Sequence, residues 1–140
     1  LERQWPERPQ PVVLCLRYLG DFAQRRGDFA EAERLWRSSI ERGEAYVAKN
    51  PQDENEVHEI AWACAGLHDL LTELSYERLN EAEAVLQRGL QPVASQLLQQ
   101  PKNTQALDAA TALRLRLALC YCRQDRVADA EQRQRCLQSD

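Results

Sequence analysis

The sequence predicts an all-α fold, and three observations lead to this prediction. Apolar residues recur at steps of three and four through most of the chain, which is the period of an amphipathic helix. No segment shows the apolar and polar alternation of a strand. A short pattern also repeats around Ala32, Ala82 and Ala130, which lie 50 and 48 residues apart and are each preceded by an acid and followed by Glu. Repetition at such a spacing is typical of stacked helical units.

The first helix is predicted to begin at Pro11, because the missing N–H of proline is not needed in the first turn of a helix. Residues 1–10 contain two prolines and are predicted to form an extended lead-in, with Trp5 folding back onto the first helices. From Val12 to Ala23 the segment is apolar nearly all round. It is therefore predicted to be contacted on several sides.

The second helix is predicted to begin after Asp28, with Asp28 as N-cap and Glu31 at the third helical position. It should end near Asn50, just before Pro51. Its apolar stripe is Phe29, Ala32, Trp36, Ile40, Gly43 and Val47. This stripe is a single face that must be covered by neighbouring helices.

Two more helices are predicted between residues 53 and 100. The third begins within the acidic stretch Asp53 to Glu56, which suits the positive N-terminal end of a helix. The fourth is predicted to be capped by Asn80 and to be kinked by Pro92, which removes one hydrogen bond of the helix. Their stripes comprise Val57, Ile60, Cys64, Leu67, Leu71 and Leu74 in the third helix, and Ala82, Leu86, Leu90, Val93 and Leu97 in the fourth.

The last part of the chain is predicted to form a fifth helix over Thr104 to Cys122 and, after a turn at Gln124-Asp125, a polar sixth helix. A polar final helix suits the end of a stacked array. The prediction is thus three antiparallel pairs in one domain over residues 11–140, with the pairs at about 11–50, 53–100 and 103–138.

The repeated pattern resembles the tetratricopeptide repeat, in which a W-x-x-L-G-x-x-Y helix is followed by an A-x-x-x-F helix. The matching positions are Leu16, Leu19, Gly20, Phe29, Ala32 and Trp36 in the first pair, Leu67, Ala82 and Leu86 in the second, and Leu117, Ala118, Tyr121 and Ala130 in the third. The family period is about 34 residues, so this chain resembles a long-period variant. The resemblance implies a right-handed α-solenoid in which small residues let paired helices approach closely and Phe29 and Trp36 pack into the neighbouring pair.

The resemblance also implies a binding surface, because the first helix of each pair lines the concave groove in this family. Carrying those positions over gives Arg17, Asp21, Gln24, Arg25, Trp62, Asp69, Glu73, Leu119 and Arg123. The three arginines with Trp62 favour a partner with an acidic segment. The alternative is that these residues are ordinary solvated charges beside a partly packed Trp. The Lys and Asn set with which some members hold a terminal carboxylate is absent, since Asp21 and Asp69 occupy such positions.

Chemistry other than binding receives little support from the sequence. Cys64 and His68 stand four residues apart, and Cys120 and Cys122 two apart, but neither spacing supplies the paired ligands of a metal site. A Cys/His nucleophile pair would need an orienting third group, and the sequence identifies none. With five glycines and no Gly-rich loop, a phosphate site is not indicated. No enzyme activity, metal or cofactor is expected.

Composition and charge favour a protein-interaction module of the cytoplasm. The formal net charge is −4, basic residues are interleaved with acids, and no apolar run is long enough for a membrane span, so neither nucleic acid nor membrane is expected as a partner. Five scattered cysteines suit reduced thiols. The chain begins at Leu1 and has no Met, which predicts a piece of a longer protein. The alternative function is self-association as a homodimer, or a regulatory segment of a signalling enzyme or transcription regulator.

Overall fold

The computed structural model describes residues 10–51 and 53–138, with only the backbone described at positions 10, 11, 12, 74 and 130. These residues are almost entirely helical and contain no strand, so the all-α prediction is confirmed. The elements are α1 (Gln10–Arg25), α2 (Phe29–Lys49), α3 (Glu54–Leu74), a 3-10 turn (Tyr76–Arg78), α4 (Leu79–Gln99) and α5 (Thr104–Gln138). The predicted lead-in and Trp5 lie outside the described residues, apart from Gln10, which belongs to α1.

Helices α1 and α2 run antiparallel, as two hydrogen bonds between them show. The indole Nε1–H of Trp36 in α2 donates to the carbonyl of Arg17 in α1 at 3.2 Å, and the hydroxyl of Ser39 donates to the carbonyl of Val13 at 3.1 Å. Residue numbers therefore rise along α2 as they fall along α1. Helix α3 contacts all four other helices and lies at the centre of the molecule.

The helices form two layers, with α1, α3 and α5 in one and α2 and α4 in the other. In the first layer α3 contacts both α1 and α5. In the second layer Glu33 and Arg37 of α2 form ion pairs with Arg78 and Glu81, and Glu44 pairs with Arg88 of α4. These partners are 44 or 45 residues apart in sequence, so α2 and the N-terminal part of α4 with its preceding turn meet at a nearly constant register.

The helix ends follow from local capping. The Asp28 carboxylate accepts from the backbone N–H of Glu31 at 3.2 Å, which confirms the predicted N-cap of α2. The Asn103 side chain accepts from the N–H of Ala106 at 3.1 Å at the start of α5. The predicted cap at Asn80 is wrong, because α4 already begins at Leu79. It follows directly on the 3-10 turn, in which the Ser75 hydroxyl accepts from the N–H of Glu77 at 3.0 Å.

The core lies between the two layers and contains most of the predicted stripes of α2, α3 and α4, with Phe29 as an exposed exception. Its largest fully buried side chains include Trp36, Ile40, Leu67, Leu70, Leu86 and Leu113. Gly20 and Gly89 allow the helices to approach, because a Cβ at Gly20 would lie 2.5 Å from Trp36 Nε1 and one at Gly89 would lie 2.9 Å from Cys64 Cβ. Trp36, Ala32, Ala82 and Ser39 are buried as the close-packing prediction requires.

The predicted third pair does not form. Residues 104–138 are one continuous helix, so the prediction of a turn at Gln124-Asp125 and of a sixth helix is wrong. Neither residue is a strong helix breaker, and the segment beyond Cys122 offers few apolar side chains to draw it back against α5. Every described side chain from Asp125 to Gln138 is exposed.

Several residues predicted to pack are on the surface instead. Helix α1 is not contacted on several sides, since Tyr18, Leu19 and Phe22 are more than half exposed. Phe29 is 37 % exposed and is not a buried wedge. Ala118 and Tyr121 are exposed, because residues 104–138 form one helix and no separate sixth helix packs against them in the described part of the chain. The side chain of Ala130 lies outside what the structure describes.

The long apolar segments of α3 and α4 are packed within this bundle. In the part of the chain that the structure describes, no helix combines the length and apolarity needed to cross a membrane.

Candidate functional site

The predicted groove residues all lie on the helices of the α1–α3–α5 layer. Trp62, Arg25, Glu73 and Leu119 are exposed, and Arg17, Asp21, Gln24, Asp69 and Arg123 are half-buried. Trp62 and Asp69 are seven residues apart and share one face of α3. We call the surface of this layer that carries Leu14, Trp62, Asp69, Asp108 and Leu119 the groove face.

A cavity of about 380 Å³ lies on the groove face around Trp62. It is bounded by α1, by the first half of α3 and by the start of α5. The lining residues are Leu14, Asn55, His58, Glu59, Trp62, Gln105 and Asp108. Its volume falls at the small end of the range of ligand pockets, about 300 to 1,000 Å³. The wall therefore combines the indole of Trp62, the imidazole of His58 and one aliphatic side chain with polar groups, two of which are carboxylates.

One predicted binding residue, Arg17, is already paired at the edge of this cavity. Its Nη2 lies 3.0 Å from Oε2 of Glu59. The contact is an ion pair without hydrogen-bond alignment, since Glu59 Oε2 and Arg17 Nε are buried and have no hydrogen-bond partner. The guanidinium also lies 5.1 Å from the ring centroid of Tyr18. The positive charge of Arg17 is therefore largely compensated within the chain.

The other three charged residues predicted to bind a partner from α1 and α5 do not converge on Trp62. Arg25 is the last residue of α1, about 12 Å along the helix from Arg17 at 1.5 Å per residue. Arg123 lies on α5, which has no contact with α1 among the described residues. Asp21 lies on α1 between the two arginines. The structure therefore separates the arginines that were expected to act together.

Asp69 belongs to a second, more buried cluster that joins α3 to α5. The guanidinium of Arg116 donates two hydrogen bonds to its carboxylate, at 2.9 and 3.0 Å. The Nδ1 of His68 lies 2.8 Å from Asp69 Oδ1, and the Nε2 lies 3.2 Å from Cys120 Sγ. Because a carboxylate can only accept, the His68 Nδ1 is the donor, and its Nε2 accepts from the Cys120 thiol. Burial alone would raise the pKa of Asp69, but the bonds from His68 and Arg116 outweigh it and lower that pKa.

This cluster has the order thiol, imidazole and carboxylate of an activated nucleophile, but the thiol is inert. Cys120 is fully buried, and its burial raises its pKa. An activated cysteine has a lowered pKa and an accessible sulfur. Cys64, which the sequence placed near His68, instead packs against Gly89, and burial raises its pKa to about 12. The cluster therefore fixes α5 against α3 in the described conformation.

Sequence reasoning missed the acidic half of the cavity and the partner of Asp69. Asn55, Glu59 and Trp62 follow at steps of four and three, so their shared face could have been found by continuing the stripe of Trp62 toward the N-terminus. Gln105 and Asp108 similarly precede Leu119, the first predicted groove position of α5, by about three to four turns. The pairing of Arg116 with Asp69 had no signal, because it depends on how α3 and α5 are aligned.

Among residues 10–51 and 53–138, no group of three or more His, Cys, Asp or Glu side chains is arranged to hold a metal ion.

Comparison with protein-family models, with curated proteins and with solved structures finds no match to this chain.

Proposed function

We propose that this chain is a non-catalytic module that binds a segment of another protein along the groove face. The observation that carries the proposal is the cavity around Trp62, whose indole is 39 % exposed although it lies at the centre of a three-helix layer. Exposed aromatic residues in a concave setting are the usual energetic centres of protein interfaces. Leu115 and Leu119 extend the apolar surface along α5, at 63 % and 52 % exposure.

The proposed architecture is a right-handed, tetratricopeptide-like solenoid with two complete helix pairs followed by α5. Two features support it. Successive helices alternate between two layers, and the ion pairs between α2 and α4 recur at a nearly constant sequence offset. In such an array the first helices of the pairs, here α1, α3 and α5, form one continuous surface. That surface is the groove face.

The binding proposal is tested with a peptide library and a Trp62→Ala variant. We expect the intact chain to select peptides that share a motif, and we expect Trp62→Ala to weaken their binding at least tenfold, as loss of a central aromatic contact does. The melting temperature should fall only moderately, because 39 % of the Trp62 surface is already exposed. The control is Tyr76→Ala, which removes an aromatic ring that is 68 % exposed but lies outside the cavity. Equal weakening by both variants, or no selected motif, would refute the proposal.

Self-association is the second candidate function, and the exposed face of α1 favours it. Cys15, Leu19 and Phe22 lie on one stripe of α1, and Phe29 is the first residue of α2; all four are exposed. An uncovered apolar stripe at one end of a helical array is the surface on which another array, or a second copy, can stack. This candidate function includes a regulatory segment of a signalling enzyme or transcription regulator.

Cys15, Cys64, Cys120 and Cys122 are thiols, which suits the cytoplasm for either function.

A further inference from the structure

The charge around the Trp62 cavity is negative. Its lining contains two carboxylates, Glu59 and Asp108, and no Lys or Arg. Glu59 shares its charge with Arg17, whereas Asp108 is exposed and has no ion-pair partner in the described part of the chain. The side-chain amides of Asn55 and Gln105 add two carbonyl acceptors. An anionic group entering here would meet repulsion from Asp108 and no Lys or Arg side chain in the lining.

The apolar part of the lining suits the rest of a long cationic side chain. The face of a tryptophan ring attracts a cation within about 6 Å, and Trp gives the strongest such interaction of the aromatic side chains. Leu14 on the opposite helix can contact an aliphatic stem, as Lys and Arg stems do when their charged ends remain at a polar site. A carboxylate and an indole in one lining can supply the two interactions that hold an ammonium or guanidinium group, a charge-assisted hydrogen bond and a cation–π contact.

We infer that this cavity binds the side chain of a Lys or Arg residue in an extended segment of the partner protein. The inference rests on the proposed binding function and specifies its ligand. It replaces the acidic segment favoured by the sequence, because the arginines behind that expectation are paired or lie elsewhere. Asp108 and Trp62 are the two residues that determine the choice, Asp108 through charge and Trp62 through its ring.

The test uses an array of peptides with varied flanks and one of four central residues: Lys, Arg, norleucine or Glu. Norleucine keeps the apolar stem of Lys and removes only its charge. We expect binding with central Lys or Arg at least fivefold tighter than with norleucine, and no binding with Glu. Asp108→Asn should reduce the preference for Lys over norleucine at least threefold. Asp125→Asn removes an exposed acid from the same helix outside the cavity and should leave the preference unchanged.

The outcomes separate this inference from the binding function. Trp62-dependent binding of norleucine or Glu peptides, with no preference for Lys or Arg, would refute the cationic ligand and leave the binding function standing. If Asp125→Asn lowers the preference for Lys as much as Asp108→Asn does, the preference reflects general attraction by an acidic protein. That result would also refute the proposed site. Failure of all four sets to bind would overturn both proposals.

Discussion

The indole of Trp36 occupies the space that a side chain at Gly20 would need. The ring is held in place by its hydrogen bond to the carbonyl of Arg17 and by complete burial. A Cβ at Gly20 would lie 2.5 Å from Nε1 and 2.6 Å from Cδ1. The contact between α1 and α2 therefore depends on the absence of a single methyl group.

We predict that Gly20→Ala destabilises the fold by about 1 to 3 kcal/mol, because overpacking outweighs the gain of about 1 kcal/mol that Ala brings to a helix. Urea denaturation measures this change in the free energy of unfolding. Gly66→Ala is the matched control, since its Cβ would approach the same ring only to 3.3 Å. It should cost much less. Equal losses at the two positions would show that the Trp36 contact is not the cause.

Glu56 is a carboxyl group buried without a partner. It has no solvent exposure, and neither of its oxygens has a hydrogen bond. Burial, together with the charges of Asp53 and Glu59, raises its pKa from 4.5 to about 7. The folded state thus keeps a proton that the unfolded chain releases between these pH values. This contribution to stability is complete below pH 4.5, declines as the pH rises and is lost above about pH 7.

Glu56→Gln should therefore stabilise the protein at pH 8 by about 3 kcal/mol relative to the parent chain, and the difference should shrink toward pH 4.5. The side chains are nearly the same size, so the change isolates the ionisation. Unfolding free energies measured by urea denaturation at pH 4.5, 6 and 8 test the prediction. Glu41→Gln changes an exposed acid and should follow the parent at every pH. A pH-independent effect of Glu56→Gln would mean that packing, not charge, is responsible.

At the scale of elements, α5 has two parts with different surroundings. Its first half carries buried Ala106, Leu113, Leu117 and Cys120, and the ion pair of Arg116 with Asp69 fixes it to α3. From Asp125 onward the helix has only exposed side chains among those described. The stability of the bundle should therefore depend on the part of α5 that ends at Gln124.

Ending the chain after Glu131 should change the free energy of unfolding by less than about 0.5 kcal/mol, as expected for exposed residues. Ending it after Leu115 should unfold the protein or cost several kcal/mol, because the buried Leu117 and Cys120 are then lost. Thermal and urea denaturation of the two shortened chains decide between these outcomes. Strong destabilisation by the shorter deletion would indicate that the last residues pack back against the bundle, as a sixth helix would.

For the molecule as a whole, the exposed stripe of α1 predicts a concentration-dependent mass. We expect sedimentation equilibrium to show a shift from one chain toward two as the concentration rises, because stacking would cover Leu19 and Phe22. Phe22→Ser should move this equilibrium toward the single chain without loss of stability, since the ring is 61 % exposed. Leu98→Ser removes an equally apolar and even more exposed side chain at the far end of α4 and should have no effect. A mass that stays at one chain at all concentrations would eliminate self-association.

The parts of the fold that depend on local chemistry were predictable from the sequence. The cap at Asp28 and the part of the α2 stripe from Ala32 to Gly43 follow from the spacing and type of neighbouring residues, and both are confirmed, whereas Phe29 is exposed. The sixth helix was not correctly predicted, because Gln124 and Asp125 permit a turn without forcing one. The continuous helix forms instead of the turn because the segment beyond Cys122 has few apolar side chains that could pack against the bundle.

The charges of the candidate site were beyond sequence reasoning for a geometric reason. Arg17 and Glu59 are 42 positions apart and meet only because α1 and α3 align at a particular register. The same holds for Asp69 and Arg116. A sequence shows which charges a helix carries, whereas their pairing requires the relative position of two helices. Only the structure therefore reveals the sign of the charge on the groove face.

The uninterrupted α5 also provides a rigid attachment point with a defined direction relative to the bundle. From Asp125 to Gln138 the helix runs free of the core for about 20 Å at 1.5 Å per residue. A fluorophore or reporter domain joined in helical phase after Gln138 would be held at a fixed distance and angle from the Trp62 cavity. Each residue inserted in the helical joint would rotate the attachment by about 100° and advance it by about 1.5 Å. Sensors of groove occupancy could thus be adjusted in known steps of angle and distance.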